Sequence, residues 1–148
     1  MKIIVIDTDS LSRVFDEGNR EHPEYEPLHN RIFKQRNVKI AYGGEKYAKE
    51  LENAPKYRRL FSELKTAQIA IELDNYKVNQ SENRIVRATK GTQFNDQHII
   101  AIVIEGKCNI ICSRDSDAYP FFKNKHLYPK NFRIPGIYNG RSSCSILN

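Results

Sequence analysis

The sequence has no apolar run that approaches the roughly 20 residues needed to cross a membrane. It enters an aliphatic stretch directly after Met1 and Lys2, so we expect no signal peptide. Only three cysteines are present, Cys108, Cys112 and Cys144, and their spacing is not that of a zinc site or a disulfide framework. Internal repeats and low-complexity tracts are also missing. The sequence therefore predicts a soluble globular protein that lies in the cytoplasm with its thiols reduced.

The chain is short and basic. Its 148 residues, 39% of them hydrophobic, predict one domain, residues 1–148, that is long enough to bury a core. The formal net charge is +6, and a basic surface suits a polyanionic substrate. A solvated helix face explains any single basic cluster as well. The clusters are Lys34/Arg36/Lys39, Lys46/Lys49, Lys56/Arg58/Arg59, Arg84/Arg87/Lys90 and Lys123/Lys125.

Predicted strands and helices alternate along the chain. The strands are predicted at residues 2–7, 38–42, 69–73, 109–113 and 132–134. The helices are predicted at residues 11–16, 28–35, 45–53, 55–64, 96–105 and 118–123, with a polar helix or turn at 79–89, a loop at 18–27 and Gly106 as a helix terminus. This order predicts an α/β fold in which helices cover both faces of a central parallel sheet.

Acidic residues follow strands in this pattern. Asp7-Thr8-Asp9-Ser10 comes directly after an aliphatic run, and Ser113-Arg114-Asp115-Ser116-Asp117 follows another. Asn95-Asp96 opens an apolar helix, and Glu45 and Glu50 lie on the helix after the second strand. Since ligands of open α/β sheets bind beyond the carboxyl ends of the strands, we expect these groups to share one edge. Crowded carboxylates repel one another unless they share protons or a cation, so a hard divalent ion is expected there.

The order of these motifs resembles that of the PIN domain family, a class of metal-dependent ribonucleases, over nearly the whole chain. The family's strand ending in Asp-Thr-(Asn/Asp/Ser) corresponds to Ile6-Asp7-Thr8-Asp9. Its acid at the start of a hydrophobic helix corresponds to Asn95-Asp96-Gln97-His98-Ile99-Ile100-Ala101, with Gly106 following. Its Thr/Ser-x-Asp-x-Asp strand end corresponds to Ser113-Arg114-Asp115-Ser116-Asp117. For the remaining acid, Glu50 is followed by Leu51 as in the family, while Glu45 lies nearer the strand end.

Cleavage of a phosphodiester by metal ions needs carboxylate and water ligands, which Mg²⁺ and Mn²⁺ prefer. We therefore predict Asp7, Asp96 and Asp115 as ligands of Mg²⁺ or Mn²⁺. Glu50 and Asp117 are predicted to complete the site or to orient water, and Thr8 and Ser113 to form hydrogen bonds beside the ligands. Glu45 and Asp9 are alternative acids. Lys46 and Lys49 are predicted to bind RNA. The resemblance further implies an RNA substrate, an antitoxin or other regulatory protein as partner, and a homodimer.

Each candidate residue also has a structural explanation. Asp7 and Asp96 are placed to cap helices, and Asp117 to interact with the dipole of a short helix. His98 is expected to pack or hydrogen-bond near the site. The aromatic residues Tyr119, Phe121 and Phe122 can stack on bases or pack against the sheet.

Two other functions remain open. Asp7-Thr8-Asp9 also fits the nucleophile motif of haloacid-dehalogenase-type phosphatases, although Leu11-Ser12 stands where that family has Thr-Leu or Thr-Val, and the family's lysine motif is not recognisable. The other alternative is a catalytically inactive module that binds RNA or a protein partner on the same fold, because fold does not imply activity.

Overall fold

The computed structural model describes residues 1–148, and its centre is a five-stranded parallel sheet. The strands are β1 (Lys2–Ile6), β2 (Val38–Tyr42), β3 (Ala70–Glu72), β4 (Ile110–Cys112) and β5 (Gly136–Tyr138), in the spatial order β3-β2-β1-β4-β5. Every neighbouring pair is parallel. The predicted α/β class with a central parallel sheet is confirmed.

Helices cover both faces of the sheet. They are α1 (Leu11–Phe15), α2 (His22–Phe33), α3 (Glu45–Glu52), α4 (Pro55–Thr66), α5 (Asn75–Ala88), α6 (Gln97–Gly106) and α7 (Tyr119–Phe122). The crossovers β1 to β2 and β3 to β4 run in opposite directions across the sheet, so right-handed connections put α2 and α6 on opposite faces. Helix α6 packs across β1, β2 and β4, and α5 packs on α6. Among these helices, none has the length and apolar character that a membrane crossing requires.

The core lies where β1 and α6 meet. Ile4, Val5 and Ile6 are fully buried because β1 is the central strand and both its faces are covered. The apolar segment of α6, residues 99–103, is likewise completely buried. Burial of each large aliphatic side chain contributes about 1.5–3 kcal/mol. The strand that carries Asp7 and the helix that begins after Asp96 are therefore held rigidly together.

The predicted loop at residues 18–27 is wrong, because α2 already begins at His22. Pro23 occupies the first turn, where its missing N–H has no intrahelical partner to lose. Pro27 lies inside the helix and leaves the carbonyl of Pro23 without its usual donor. The guanidinium of Arg141 donates to that carbonyl at 2.8 Å. This tertiary hydrogen bond thus replaces the intrahelical one that Pro27 removes, and the helix continues through the segment for which the prolines predicted a loop.

Two other boundaries differ from the prediction. The last strand is Gly136–Tyr138 and not residues 132–134; it pairs with β4, while Phe132 stacks on Tyr128. Residues 79–88 belong to the longer helix α5, and Thr89 follows its end. Asp74 caps the start of α5, where its side chain accepts a hydrogen bond from the backbone N–H of Lys77.

Gly106 is the last residue of α6, as predicted, but the left-handed conformation that often follows a helix does not lie at this glycine. That conformation belongs to the next residue, Lys107, with φ 51°. Gly106 is needed for a close approach instead, since a Cβ there would lie 3.0 Å from the Cβ of Ala41. The glycine therefore lets α6 pack tightly on β2.

Replacement of Gly44 by Ala is expected to destabilise the fold by roughly 3 kcal/mol. Gly44 precedes α3 with φ 87°, and an added Cβ would lie 2.6 Å from Cγ1 of Val78. Urea unfolding monitored by circular dichroism measures the loss. Gly18→Ala is the control, because Gly18 has no atom within 4 Å of an added Cβ. Equal stability of the two variants would contradict the close approach of Val78 to Gly44 before α3.

Candidate functional site

The candidate site lies at the point where the strand order reverses. The chain passes from β1 to β2 on one side and later returns to place β4 on the other side of β1. In open α/β sheets this switch point forms the ligand crevice at the carboxyl ends of the strands. The backbone N–H of Asp7 donates to the carbonyl of Cys112 at 2.9 Å, so β1 and β4 end side by side. The residues that follow both strands therefore border the crevice.

Asp7 is a buried carboxylate with an elevated pKa. Its side chain follows β1, and the residue is only 7% exposed. Burial raises the pKa of Asp7 to about 6, with further increases from the charges of Asp96 and Asp9. The backbone N–H of Asp9 and the nearby His98 act in the opposite direction but do not outweigh burial. The N–H of Asp9 lies 3.5 Å from Oδ1 of Asp7, so the cap that Asp7 gives the following turn is weak.

Asp96 occupies the N-cap position of α6 without capping it through its side chain. The backbone carbonyl of Asp96 accepts from Ile99 at 3.0 Å, but the carboxylate makes no cap hydrogen bond. Burial raises the pKa of Asp96, and the neighbouring Asp115 raises it further, while His98 and Lys46 lower it. The carboxylate of Asp96 thus interacts electrostatically with those of Asp7 and Asp115 and does not cap the helix.

The segment after β4 brings the exposed Asp115 beside Asp96. Ser113 is fully buried, and its Oγ accepts from the backbone N–H of Asp115 at 3.2 Å. Oδ1 of Asp115 accepts from the backbone N–H of Asp117 at 3.2 Å. Asp117 itself is exposed, and its side chain makes no hydrogen bond with Asp7 or Asp96. Ser113 therefore orients the backbone that presents Asp115.

Glu50 joins the site through a buried histidine. Nε2 of His98 lies 2.9 Å from Oε1 of Glu50, and His98 is only 2% exposed. Burial alone would raise the pKa of Glu50, but the hydrogen bond and charge of His98, with contributions from Lys46 and Thr8, lower it. The Nδ1 atom of His98 has no hydrogen-bond partner. Glu50 is consequently the acid that α3 turns towards the crevice.

The alternative acid Glu45 points to solvent. It forms an i,i+4 ion pair with Lys49 at 3.4 Å, and both side chains are more than two-thirds exposed. Asp9, the other alternative, is also exposed, and its carbonyl accepts from Arg13 at 2.7 Å. Lys46 is half-buried, and its Nζ donates to the carbonyl of Asn95 at 2.7 Å. Of the two predicted RNA-binding lysines, Lys46 therefore lies beside the acids and Lys49 lies on the outer surface of α3.

Sequence reasoning missed the role of Tyr47. This fully buried tyrosine donates its hydroxyl to the carbonyl of Ile6 at 2.7 Å. It thereby fixes α3 to the end of β1, immediately before Asp7. The spacing carried the signal, because Tyr47 and Glu50 are three residues apart and lie on the same face of the helix.

No group of three or more His, Cys, Asp or Glu side chains in the structure is arranged so that it could hold a metal ion. The carboxylates interact pairwise, Asp7 with Asp96 and Asp96 with Asp115. The donor set itself suits Mg²⁺ or Mn²⁺, which bind carboxylate oxygens, retain several waters and often use only one or two protein carboxylates. A metal at this position remains a prediction.

Comparison of the chain with protein-family models, with curated proteins and with solved structures gave no match. Assignment of a function therefore depends on the residues of the crevice.

Proposed function

We propose that this protein is an endoribonuclease that depends on Mg²⁺ or Mn²⁺ and cleaves RNA phosphodiester bonds, as PIN domains do. The observation that carries the proposal is the buried Asp7, with a pKa raised to about 6, beside Asp96 at the switch point of the sheet. A carboxylate held in such a place opposes folding at neutral pH unless a cation joins it. Groups with strongly perturbed pKa values in a cleft are typical of functional sites.

In this proposal Asp7, Asp96 and Asp115 would hold the metal either directly through a carboxylate oxygen or through its bound waters. When bound, a divalent ion supplies neutralisation of the phosphate charge and activation of water near neutral pH. Glu50 stays ionised because its pKa is lowered, so its carboxylate can accept a hydrogen bond from the attacking water and orient it. His98 holds one carboxylate oxygen of Glu50 and so orients the other.

The rival functions make different predictions. A haloacid-dehalogenase-type phosphatase would form a covalent phosphate ester on Asp7 and hydrolyse p-nitrophenyl phosphate, whereas the proposed nuclease does neither. An inactive module would bind RNA or a protein without cleaving RNA. The antitoxin partner, the homodimer and the cytoplasmic location are further proposals, which depend on the family resemblance and on the unpaired state of the three cysteines.

Glu50→Gln is expected to reduce RNA cleavage about 10- to 100-fold, since it removes the carboxylate that orients water beside the metal. Purified protein is incubated with unstructured and structured RNA, with Mn²⁺ and with Mn²⁺ plus chelator. Wild type should cleave only without chelator. Glu45→Gln is the matched control, because it makes the same change on the same helix at an exposed ion pair, and it should retain wild-type cleavage.

Wild-type cleavage in chelator would exclude the metal-dependent mechanism. Equal losses of RNA cleavage in the Glu45 and Glu50 variants would show that cleavage depends on the negative charge of α3 and not on the position of Glu50. Absence of RNA cleavage together with turnover of p-nitrophenyl phosphate would favour the phosphatase.

A further inference from the structure

A groove of about 540 Å³ opens beside the acidic crevice. One wall is formed by the segment before α6, with Gln93, Phe94 and Asn95, and the other by the segment after β4, with Asp115, Asp117 and Phe121. Asp115 belongs to both places, because it lines the groove and raises the pKa of Asp96. Any molecule in the groove is thus adjacent to the proposed site of cleavage.

The groove suits a flat neutral ring better than a phosphate. Its lining contains no lysine or arginine, and the carboxylates of Asp115 and Asp117 repel an anion. Phe94 and Phe121 are stacked with ring centroids 4.4 Å apart and planes inclined by 14°. Phe94 is nearly buried, while Phe121 is partly exposed, so Phe121 is the ring of the pair that a ligand reaches.

We propose that this groove binds one nucleobase of single-stranded RNA next to the scissile phosphate, and that it prefers guanine. This inference rests on the proposed nuclease function. The base extends the aromatic stack at Phe121, and the side chains of the groove hydrogen-bond to its Watson–Crick edge, as in other single-strand readers. Backbone phosphates lie outside the groove, towards Lys46.

Asp117 supplies the preference. Its exposed carboxylate has no other side-chain partner, unlike Asp115, which adjoins Asp96. A carboxylate has two acceptor oxygens and no donor. Guanine alone presents two adjacent N–H donors, N1–H and N2–H, on its Watson–Crick edge, so it matches both oxygens.

The test measures binding in an Asp96→Asn background, so that cleavage does not interfere. The probes are fluorescently labelled pentaribonucleotides UUGUU, UUAUU and UUUUU, followed by fluorescence anisotropy with Mn²⁺. Phe121→Ala should weaken binding of UUGUU about tenfold or more, because the stacking of one base on an aromatic side chain contributes about 1–3 kcal/mol of binding free energy. Phe132→Ala is the control, since Phe132 is also a partly exposed ring in a stacked pair but lies in a pocket with Lys107 and Asn109, at the opposite edge of the sheet.

Asp117→Asn should abolish the preference. A carboxamide presents one acceptor and one donor, a pattern that guanine, adenine and uracil each match with one donor and one acceptor of their Watson–Crick edges. We expect UUGUU to lose several-fold in affinity and the three probes then to bind with similar affinity. Glu63→Gln removes the same charge from an exposed position of α4 and should leave the order of affinities unchanged.

The outcomes separate this inference from the proposed function. If wild type cleaves RNA but Phe121→Ala and Asp117→Asn leave RNA binding unchanged, the proposed base-binding role of the groove is wrong and the proposed nuclease function stands. If the protein binds guanine-containing RNA preferentially and through Phe121 but does not cleave RNA, the base-binding role of the groove is supported and the nuclease function is wrong. Failure of all pentanucleotides to bind would overturn the groove. If Phe121→Ala is unfolded by circular dichroism, Phe121→Leu, which keeps apolar volume without an aromatic face, replaces it.

Discussion

Asp7→Asn is expected to lower RNA cleavage about 1,000-fold or more and, at the same time, to stabilise the metal-free protein. The loss of cleavage follows from the loss of a metal ligand, on which charge neutralisation and water activation depend. The gain in stability follows from removal of a buried anion that faces Asp96. A residue that only supported the fold would give the opposite sign of stability change.

The gain in stability should depend on pH. The pKa of Asp7 is about 6 in the folded protein against 3.8 ordinarily, so between pH 4 and 6 the folded state binds more protons than the unfolded state. The free energy of unfolding therefore falls as pH rises through this window. Above pH 6 the ionised Asp7 costs about 3 kcal/mol, from roughly two pKa units at 1.36 kcal/mol each. Asp7→Asn should remove this cost at pH 8 and change little at pH 4.

Urea unfolding at pH 4, 6 and 8 in chelator measures this dependence. Asp16→Asn is the matched control, because Asp16 is ion-paired to Lys56 at 3.0 Å and accepts from Tyr57 at 2.6 Å. Burial acts to raise the pKa of Asp16, but these two partners lower it, so its replacement should destabilise the protein at pH 8. A similar destabilisation by Asp7→Asn would contradict the claim that the Asp7 carboxylate is a buried anion that repels Asp96 and has no cation to neutralise it.

Addition of Mn²⁺ should reverse the order of the two proteins. A ligand that binds only the folded state stabilises it by about 4.1 kcal/mol at 1,000 times its dissociation constant, which exceeds the cost of about 3 kcal/mol from the ionised Asp7. Wild type should gain this amount and Asp7→Asn should not. Equal responses to Mn²⁺ would show that the ion binds elsewhere.

The predictable part of the fold came from strong local patterns. The aliphatic residues before Asp7 and the Gly43-Gly44 pair after β2 mark strand ends without reference to distant contacts. Strand β5 has no such pattern, since its three residues are held by pairing with β4. The start of α2 was hidden because Arg141, more than 110 residues away, satisfies the carbonyl that Pro27 leaves free.

The candidate site was predictable to the extent that strand ends determine it. Placing acids after β1 and β4 required only the parallel sheet, and in the structure Asp96 interacts with Asp7 and, separately, with Asp115. The choice between Glu45 and Glu50 required the orientation of α3, which depends on the hydrogen bond of Tyr47 to Ile6. The functions of these residues remain predictions that the variants test.

RNA affinity should fall steeply with salt if the substrate crosses the basic surface beside α3. Each phosphate contact with single-stranded nucleic acid contributes about −0.7 to the slope of log affinity against log salt. About four contacts would then reduce affinity roughly 600-fold between 50 and 500 mM salt. Lys46 and Lys49 are the candidates for two of these contacts, since Lys46 adjoins Asp96 and Lys49 is exposed on the same helix.

The double variant Lys46→Gln/Lys49→Gln should flatten the slope by about 1.4, for two lost contacts. Neutralisation is preferable to charge reversal, because a reversed residue 46 would add another carboxylate beside Asp96 and Glu50. Arg84→Gln/Arg87→Gln is the control: both residues are exposed on α5, which packs on α6. Anisotropy in the Asp96→Asn background at several salt concentrations gives the slopes. Equal flattening by both double variants, or salt-independent binding, would mean that the charge of α3 does not follow the RNA backbone and serves another partner.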